Sequence, residues 1–185
     1  LREFAKLIAL GVPGSISINI TASNLLDREL RAAIQDALTL WQVPPQRVVL
    51  EITESGLIGN LDDALLAMHA LKRLGCKLAL DDFGTGYSSL SYLKRLPIDE
   101  LKIDRSFILT MRESAKDAGI VRTIIELAHL LELVVVTEGV EDAETVRMLT
   151  GMGNDVIQGY VHSQPLPPQA IPDYLASLNL PGKRI

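Results

Sequence analysis

Two adjacent acids, Asp81 and Asp82, stand where an apolar run ends and a glycine-rich bend begins, in the segment LALDDFGTGYSSL at residues 78–90. Five further apolar runs also end at or near a polar side chain. The full set is Asn19, Glu51, Asp81 with Asp82, Lys102, Glu138 and Gln158. If the runs are parallel strands, their carboxyl ends share one edge of a sheet, where active sites assemble in α/β folds. The pattern therefore predicts one convergent polar site.

The charges of this set predict bound metal ions. Its four acids would face a single cation, Lys102. Two carboxylates about 5 Å apart repel by roughly 3 kcal/mol at an effective dielectric constant of about 20. Oxygen ligands without Cys or His favour Mg²⁺ or Mn²⁺ over structural zinc, and two such ions would balance the acids. A two-metal site activates water for in-line displacement at phosphorus, so these residues favour phosphoester hydrolysis.

Other nucleophiles and bases fit less well. Cys76 precedes its apolar run, at the opposite edge from the acids, and is predicted to be a small core residue. His69 and His129 fall within helical patterns, which favours surface or packing roles. His162 follows the last run and has no evident partner in the sequence. The GTG at residues 84–86 lacks the third glycine of a dinucleotide fingerprint and is interpreted as a mobile loop.

Apolar runs of strand length alternate with amphipathic segments along the chain. The runs occupy residues 15–20, 47–52, 77–82, 100–104, 133–138 and 155–160. Their hydrophobicity is mostly continuous, as in parallel strands covered on both faces. The intervening helical patterns are expected to begin near Asp27, Asp62 and Asp142 and to end at Gly75 and Gly151. This alternation predicts an α/β fold with a parallel sheet and right-handed crossovers.

The composition is typical of one globular domain. Of the 185 residues, 48% are hydrophobic and 22% are charged, and no apolar run approaches the length that spans a bilayer, ~18 residues. The net charge is −5, and the Lys and Arg residues are scattered along the sequence rather than clustered in a basic stripe. This distribution argues against long nucleic acids as partners. A single cysteine and first residues unlike a signal peptide predict a cytoplasmic location, including the cytoplasmic part of a membrane-tethered protein.

Five motifs occur in an order and spacing that resemble the EAL domain family over essentially the whole chain. They are SINITASNL, LEITES, LALDDFGTGYSSLSYLKRLPIDELKIDRSF, TEGVED and IQGYVHSQPLP. The resemblance implies a modified TIM-like (β/α) barrel of the EAL type. It also implies hydrolysis of cyclic di-GMP to linear pGpG with two Mg²⁺ or Mn²⁺ ions, as a module of bacterial second-messenger signalling.

Residue roles follow from the resemblance by position. It implies metal ligation by Asn19, Glu51, Asp81, Asp82 and Glu138. It assigns catalytic roles to Lys102, Glu138, Gln158 and Asp82, with Lys102 and Gln158 near the attacking water or the phosphate. Glu54 would anchor the loop at residues 83–89, and Asp104 and Glu141 would orient the residues that contact metal or substrate. The substrate contacts would come from Phe83, Gly84, Thr85, Gly86, Tyr87, Ser88 and Pro165.

Two departures from the family pattern affect these expectations. Gln164 stands where family members often have a basic residue, and the Glu-Ala-Leu motif is absent. The polar residues at the strand ends, from Asn19 to Gln158, recur at a mean interval of (158 − 19)/5, about 28 residues, and indicate six strand-helix units. Eight such units would approach the ~250 residues of a full barrel. We therefore expect residues 1–185 to form a single EAL-type domain, incomplete at its N-terminus, with about six of eight strands. Activity would require the missing strands.

Two other functions are compatible with the residues. A non-catalytic relative would bind cyclic di-GMP as a receptor, and only the missing glutamate favours that reading. An enolase-like barrel would also place strand-end acids around Mg²⁺, but its general base is hard to assign when Lys102 is the only lysine of the set. The resemblance further implies fusion to sensory or other signalling domains, and a homodimer formed near the loop at residues 83–89.

Overall fold

The chain folds into a parallel sheet whose strands follow one another in chain order. The computed structural model describes residues 1–57, 61–84 and 90–178. Within these ranges the strands are β1 (Ile16–Ile20), β2 (Val48–Thr53), β3 (Lys77–Phe83), β4 (Glu100–Ile103), β5 (Val134–Thr137) and β6 (Val156–Ile157). Each strand pairs in parallel with the next. In a (β/α) barrel, parallel strands lie side by side in chain order, and this sheet has the same strand order. The predicted α/β, barrel-type fold is therefore confirmed.

Helices connect the strands. In the described residues they are α1 (Arg2–Ala9), α2 (Ala22–Leu25), α3 (Leu30–Trp41), α4 (Leu61–Lys72), α5 (Leu90–Leu93), α6 (Arg105–Thr110), α7 (Ala115–Leu130), α8 (Ala143–Gly151) and α9 (Ile171–Ser177). Short 3₁₀ turns lie at Pro45–Arg47, Glu54–Leu57 and Pro168–Ala170. Across the described ranges, every helix falls short of the length and apolar character that a membrane crossing requires.

Helix ends follow the sequence signals with two adjustments. Asp142 caps α8, and its carboxylate accepts hydrogen bonds from the backbone N–H groups of Glu144 and Thr145 at 2.9 and 3.0 Å. Asp27 lies before α3, which begins only at Leu30. Gly151 is the last residue of α8, as expected, whereas α4 ends at Lys72, ahead of Gly75.

The two faces of the sheet differ in character. Leu50, Leu78 and Leu101 point outward and are fully buried in a core that includes Met68 of α4 and Ile125 of α7. The alternate residues of the same strands line an inner cavity of about 660 Å³, together with side chains of α1 and α9. Within the described residues, β1 and β6 each pair with a strand on one side only.

Two aspartates fasten the entry points of strands in the same way, and we call them the aspartate clamps. Asp99 precedes β4, accepts a hydrogen bond from the backbone N–H of Leu78 in β3 at 2.8 Å, and contacts Lys72 Nζ at 2.6 and 2.7 Å. Asp155 repeats the arrangement before β6. It accepts from a backbone N–H of β5 at 2.8 Å and lies 2.9 Å from His129 Nε2. Each clamp joins two strands and the end of a helix.

Candidate active site

Four successive strands deliver charged side chains to the carboxyl edge of the sheet. Glu51 lies near the end of β2, Asp81 and Asp82 near the end of β3, Lys102 in β4, and Glu138 immediately after β5. Because neighbouring strands are parallel, these positions lie at one edge. The structure brings all five side chains into one group.

Lys102 lies at the centre of this group and is only 3% exposed. Its Nζ is 2.8 Å from Glu51 Oε2, 3.1 Å from Asp81 Oδ1 and 2.6 Å from Glu138 Oε1. Burial acts to lower the pKa of Lys102, but the hydrogen bonds and charges of Glu138 and Glu51 outweigh it and raise the pKa above its usual range. Lys102 therefore remains an ammonium ion, which donates hydrogen bonds and does not act as a base.

Three carboxylates are placed so that they could hold a cation. Oxygen atoms of Asp81, Asp82 and Glu138 lie within 4.8 Å of one another. Burial raises the pKa of Asp82, and the charges of Asp81 and Asp104 raise it further, against a lowering effect of Lys102. Burial also raises the pKa of Glu138, although Lys102 opposes this. The raised pKa values show that it is unfavourable to ionise these neighbouring carboxylates at the same time. A hard divalent cation bound between them would relieve their repulsion.

The flanks of the group are supplied by Asn19 and Gln158. Asn19 pairs in register with Glu51 across β1 and β2, and it is exposed. Gln158 follows β6, is also exposed, and lines the same inner cavity as Glu51 and Lys102. Both amides therefore lie beside the acidic group, and their roles in metal or phosphate binding stay predictions.

The end of β3 has an unusual backbone. The pairing of β3 with β4 shifts register between Leu80 and Phe83, and Asp82 within this bulge has a φ of 56°. The Asp82 N–H donates to Asp81 Oδ1 at 3.0 Å. Beyond it, Gly84 has a φ of 100°, and its N–H donates to Glu54 Oε2 at 3.0 Å. Bulges of this kind aim side chains next to active sites.

Other predicted residues surround this edge. Asp104 caps α6 by accepting from the N–H of Ser106 at 2.9 Å. Glu141 accepts a hydrogen bond from Arg105 at 2.6 Å. Phe83 is buried and Pro165 is exposed. The predicted loop positions Thr85, Gly86, Tyr87 and Ser88 lie outside the described residues.

The segment after β6 is held against the segment after β5. The Val140 N–H donates to the Gln158 carbonyl at 3.2 Å, and the Val161 N–H donates to the Val140 carbonyl at 3.0 Å. Gly159 lies between these bonds, and a Cβ on it would come within 2.0 Å of the Val140 oxygen. This close backbone approach brings the ends of β5 and β6 together, and with them Glu138 and Gln158.

Sequence reasoning missed one contact near this site. The Tyr92 hydroxyl in α5 donates to the carbonyl oxygen of Leu57 at 2.7 Å. A backbone acceptor 35 residues away leaves no mark on residue types, so no pattern in the sequence could have indicated it.

A family model described as the EAL domain matches residues 1–165. The chain belongs to the EAL domain family. The family resemblance of the five motifs is thereby confirmed, and so is the barrel-type fold of this EAL domain.

Proteins with related sequences, including one of solved structure, match most of this chain. The solved structure of the PaMucR phosphodiesterase in complex with c-di-GMP aligns with a TM-score of 0.88 and 36% identity, covering 92% of this chain and 69% of that one. The cyclic di-GMP phosphodiesterase NbdA of Pseudomonas aeruginosa is 41% identical over 86% of this chain. RocR of the same organism, also named a cyclic di-GMP phosphodiesterase, is 38% identical over 91% of it. The chain spans only 20% of NbdA and 43% of RocR.

Proposed function

We propose that this EAL domain is the catalytic part of a cyclic di-GMP phosphodiesterase, in which water replaces one ester oxygen at phosphorus and the cyclic dinucleotide opens to pGpG. The observation that carries the proposal is the group of carboxylates around buried Lys102 at the carboxyl edge of the sheet. Similarity to relatives named as cyclic di-GMP phosphodiesterases supports the choice of substrate.

The acidic group would hold divalent metal. Asp81, Asp82 and Glu138 are the ligands for which the spacing is most favourable, and Asn19 and Glu51 would complete a two-ion site of Mg²⁺ or Mn²⁺. When bound, such ions lower the pKa of coordinated water and neutralise charge on the phosphate. Among the chain's own residues, Lys102 would fix the orientation of three carboxylates, and the contacts of its Nζ with Glu51, Asp81 and Glu138 support this role. Gln158 would position substrate or water beside the acidic group, and its position in the lining of the same cavity as Glu51 and Lys102 supports this role.

Further strands would close the barrel in the working protein. Support comes from the inner cavity of about 660 Å³ and from the one-sided pairing of β1 and β6 in the described ranges. Two additional strand-helix units would cover both edges and line the cavity. Fusion to sensory or other signalling domains is supported by the greater length of the relatives. A homodimer is proposed on the family resemblance and is tested by light scattering.

Turnover by the protein expressed from its complete natural gene tests this function. We expect conversion of cyclic di-GMP to pGpG with Mg²⁺ or Mn²⁺, and loss of conversion after EDTA treatment, followed by chromatography of the products. Asp81→Ala should lower kcat/KM by more than ~100-fold, because even residues that only support metal ligands contribute 10–100-fold. Asp36→Ala, which removes an exposed acid of α3, is the matched control and should leave turnover unchanged.

Absence of turnover with both metals would contradict the proposal. If calorimetry then showed binding of cyclic di-GMP without hydrolysis, the receptor function would replace it.

A further inference from the structure

The backbone at Asp82 needs support from its surroundings. A φ of 56° is left-handed and uncommon for residues other than glycine, and it costs up to ~1–2 kcal/mol relative to ordinary conformations, although Asp tolerates it better than most residues. Such conformations persist where neighbouring contacts over-determine them. Since Asp82 belongs to the carboxylate group around Lys102, whatever fixes the end of β3 also fixes the direction of this carboxylate.

The first support is Glu54. Its side chain is 2% exposed, and its Oε2 accepts the N–H of Gly84, two residues beyond Asp82. Gly84 also packs so closely on Phe107 of α6 that a Cβ would come within 2.7 Å of the ring. The backbone after Asp82 is therefore held from two sides.

The second support acts on the 3₁₀ turn that carries Glu54. This turn runs from Glu54 to Leu57, so its first residue holds Gly84 and its last offers a carbonyl to Tyr92. The Tyr92 hydroxyl donates to that carbonyl at 2.7 Å, and Leu57 is itself 1% exposed. Burial raises the pKa of Tyr92, which keeps the hydroxyl protonated and able to donate.

We propose that Tyr92 is a positioning residue for the acidic group. Its hydroxyl fixes the Glu54–Leu57 turn, the turn fixes Gly84 through Glu54, and Gly84 holds the left-handed Asp82 in the orientation that receives metal. The inference rests on the proposed metal-dependent function of the site. Tyr92 would thus influence the geometry of the acidic group although its hydroxyl is neutral and lies outside that group.

The substitution Tyr92→Phe isolates this role, because it keeps the ring that packs in the core and removes only the donor. Tyr174→Phe is the matched control. Tyr174 also donates its hydroxyl to a backbone carbonyl, that of His162, at 2.8 Å, but in α9 rather than beside β3.

The experiment measures Mn²⁺ affinity by calorimetry and amide hydrogen exchange at Gly84, using the protein from its complete gene. Tyr92→Phe should weaken Mn²⁺ binding by ~3- to 10-fold, the size expected for one hydrogen bond, and should accelerate exchange at Gly84. Tyr174→Phe should change neither. Unchanged Mn²⁺ affinity and Gly84 exchange in Tyr92→Phe would overturn the proposal.

A double-mutant cycle with Glu54→Gln separates positioning from general loosening of the fold. If Tyr92 acts through Glu54, the double variant should lose no more Mn²⁺ affinity than Glu54→Gln alone. Additive losses would mean that Tyr92 acts by another route, which would refute the proposed chain of contacts. Because Mn²⁺ binding needs no turnover, failure of cyclic di-GMP hydrolysis would count against the proposed function and not against Tyr92.

Discussion

Asp82 is the residue at which stability and function are most clearly opposed. Its backbone is left-handed, and the pKa of its carboxyl is raised by burial, by Asp81 and by Asp104. Both features disfavour the folded, ionised protein when no metal is bound. The left-handed backbone aims the Asp82 side chain at Asp81 and Glu138, which is the placement that a metal ligand requires.

Replacement of Asp82 by Asn should therefore stabilise the metal-free protein at pH 7 by roughly 0.5–1 kcal/mol, since Asn tolerates the left-handed backbone and carries no charge. The folded pKa lies above the ordinary value of 3.8, so the cost of ionisation is fully present above the folded pKa and disappears below pH 3.8. Urea unfolding in EDTA at several pH values should show the advantage of Asp82→Asn at neutral pH and its loss in acid.

Excess Mn²⁺ provides the control for this prediction. It should stabilise the parent protein and leave Asp82→Asn nearly unaffected, which reverses the order of stability. A variant less stable than the parent in EDTA at pH 7 would contradict the assigned cost of ionising Asp82 in the folded protein.

At the scale of elements, the aspartate clamps repeat one solution at two places in the sheet. In each, a carboxylate ahead of one strand accepts a backbone N–H of the preceding strand and contacts a basic side chain near a helix end. The clamps differ in the number of contacts that the basic side chain makes. Asp99 has two short contacts with Lys72, while Asp155 has one contact with His129 at 2.9 Å.

Asp99→Ala should lower the free energy of unfolding by ~1–3 kcal/mol, because it leaves the N–H of Leu78 without its acceptor and removes the partner of Lys72. Asp155→Ala should have a smaller effect in the same direction. Urea denaturation curves of the two variants check this, with Asp36→Ala as the surface control. Equal stability of Asp99→Ala and the parent would show that the clamp contributes nothing.

The elements and the convergent acids were predictable, while the contacts that orient them were not. Continuous apolar runs place strands to within a few residues, and parallel strands bring Glu51, Asp81 and Glu138 to one edge whatever the loops do. The left-handed Asp82 and the bond from Tyr92 to Leu57 depend on backbone groups, whose positions residue types do not encode. Lys102 was expected as a single opposing charge, and its contacts with three carboxylates emerge only from the folded geometry.

At the scale of the whole molecule, Cys76 can report on opening of the fold. It is 1% exposed at the entry to β3, and burial raises the pKa of its thiol, with a small opposing effect of Lys72. Modification therefore requires unfolding around the strand and deprotonation of the thiol.

A maleimide at pH 8 should label Cys76 at least ~1000-fold more slowly in buffer than in concentrated urea. Mn²⁺ at about 100 times its dissociation constant should slow native-state labelling by a further ~100-fold, because it binds only the folded site. Mass spectrometry follows both rates, and Cys76→Ser gives the background. Fast labelling of the native protein would show that β3 is more accessible than its burial indicates.

Gly159 lies where two stretches of main chain touch, and any side chain there would push the ends of β5 and β6 apart. In a library that samples every amino acid at every position, this glycine should therefore tolerate replacement as poorly as Asp81. It holds no metal and moves no proton. Intolerance to mutation along this edge thus reflects close backbone packing as well as metal binding. Metal titration of the variants separates positions that pack, such as Gly159, from positions that bind metal, such as Asp81.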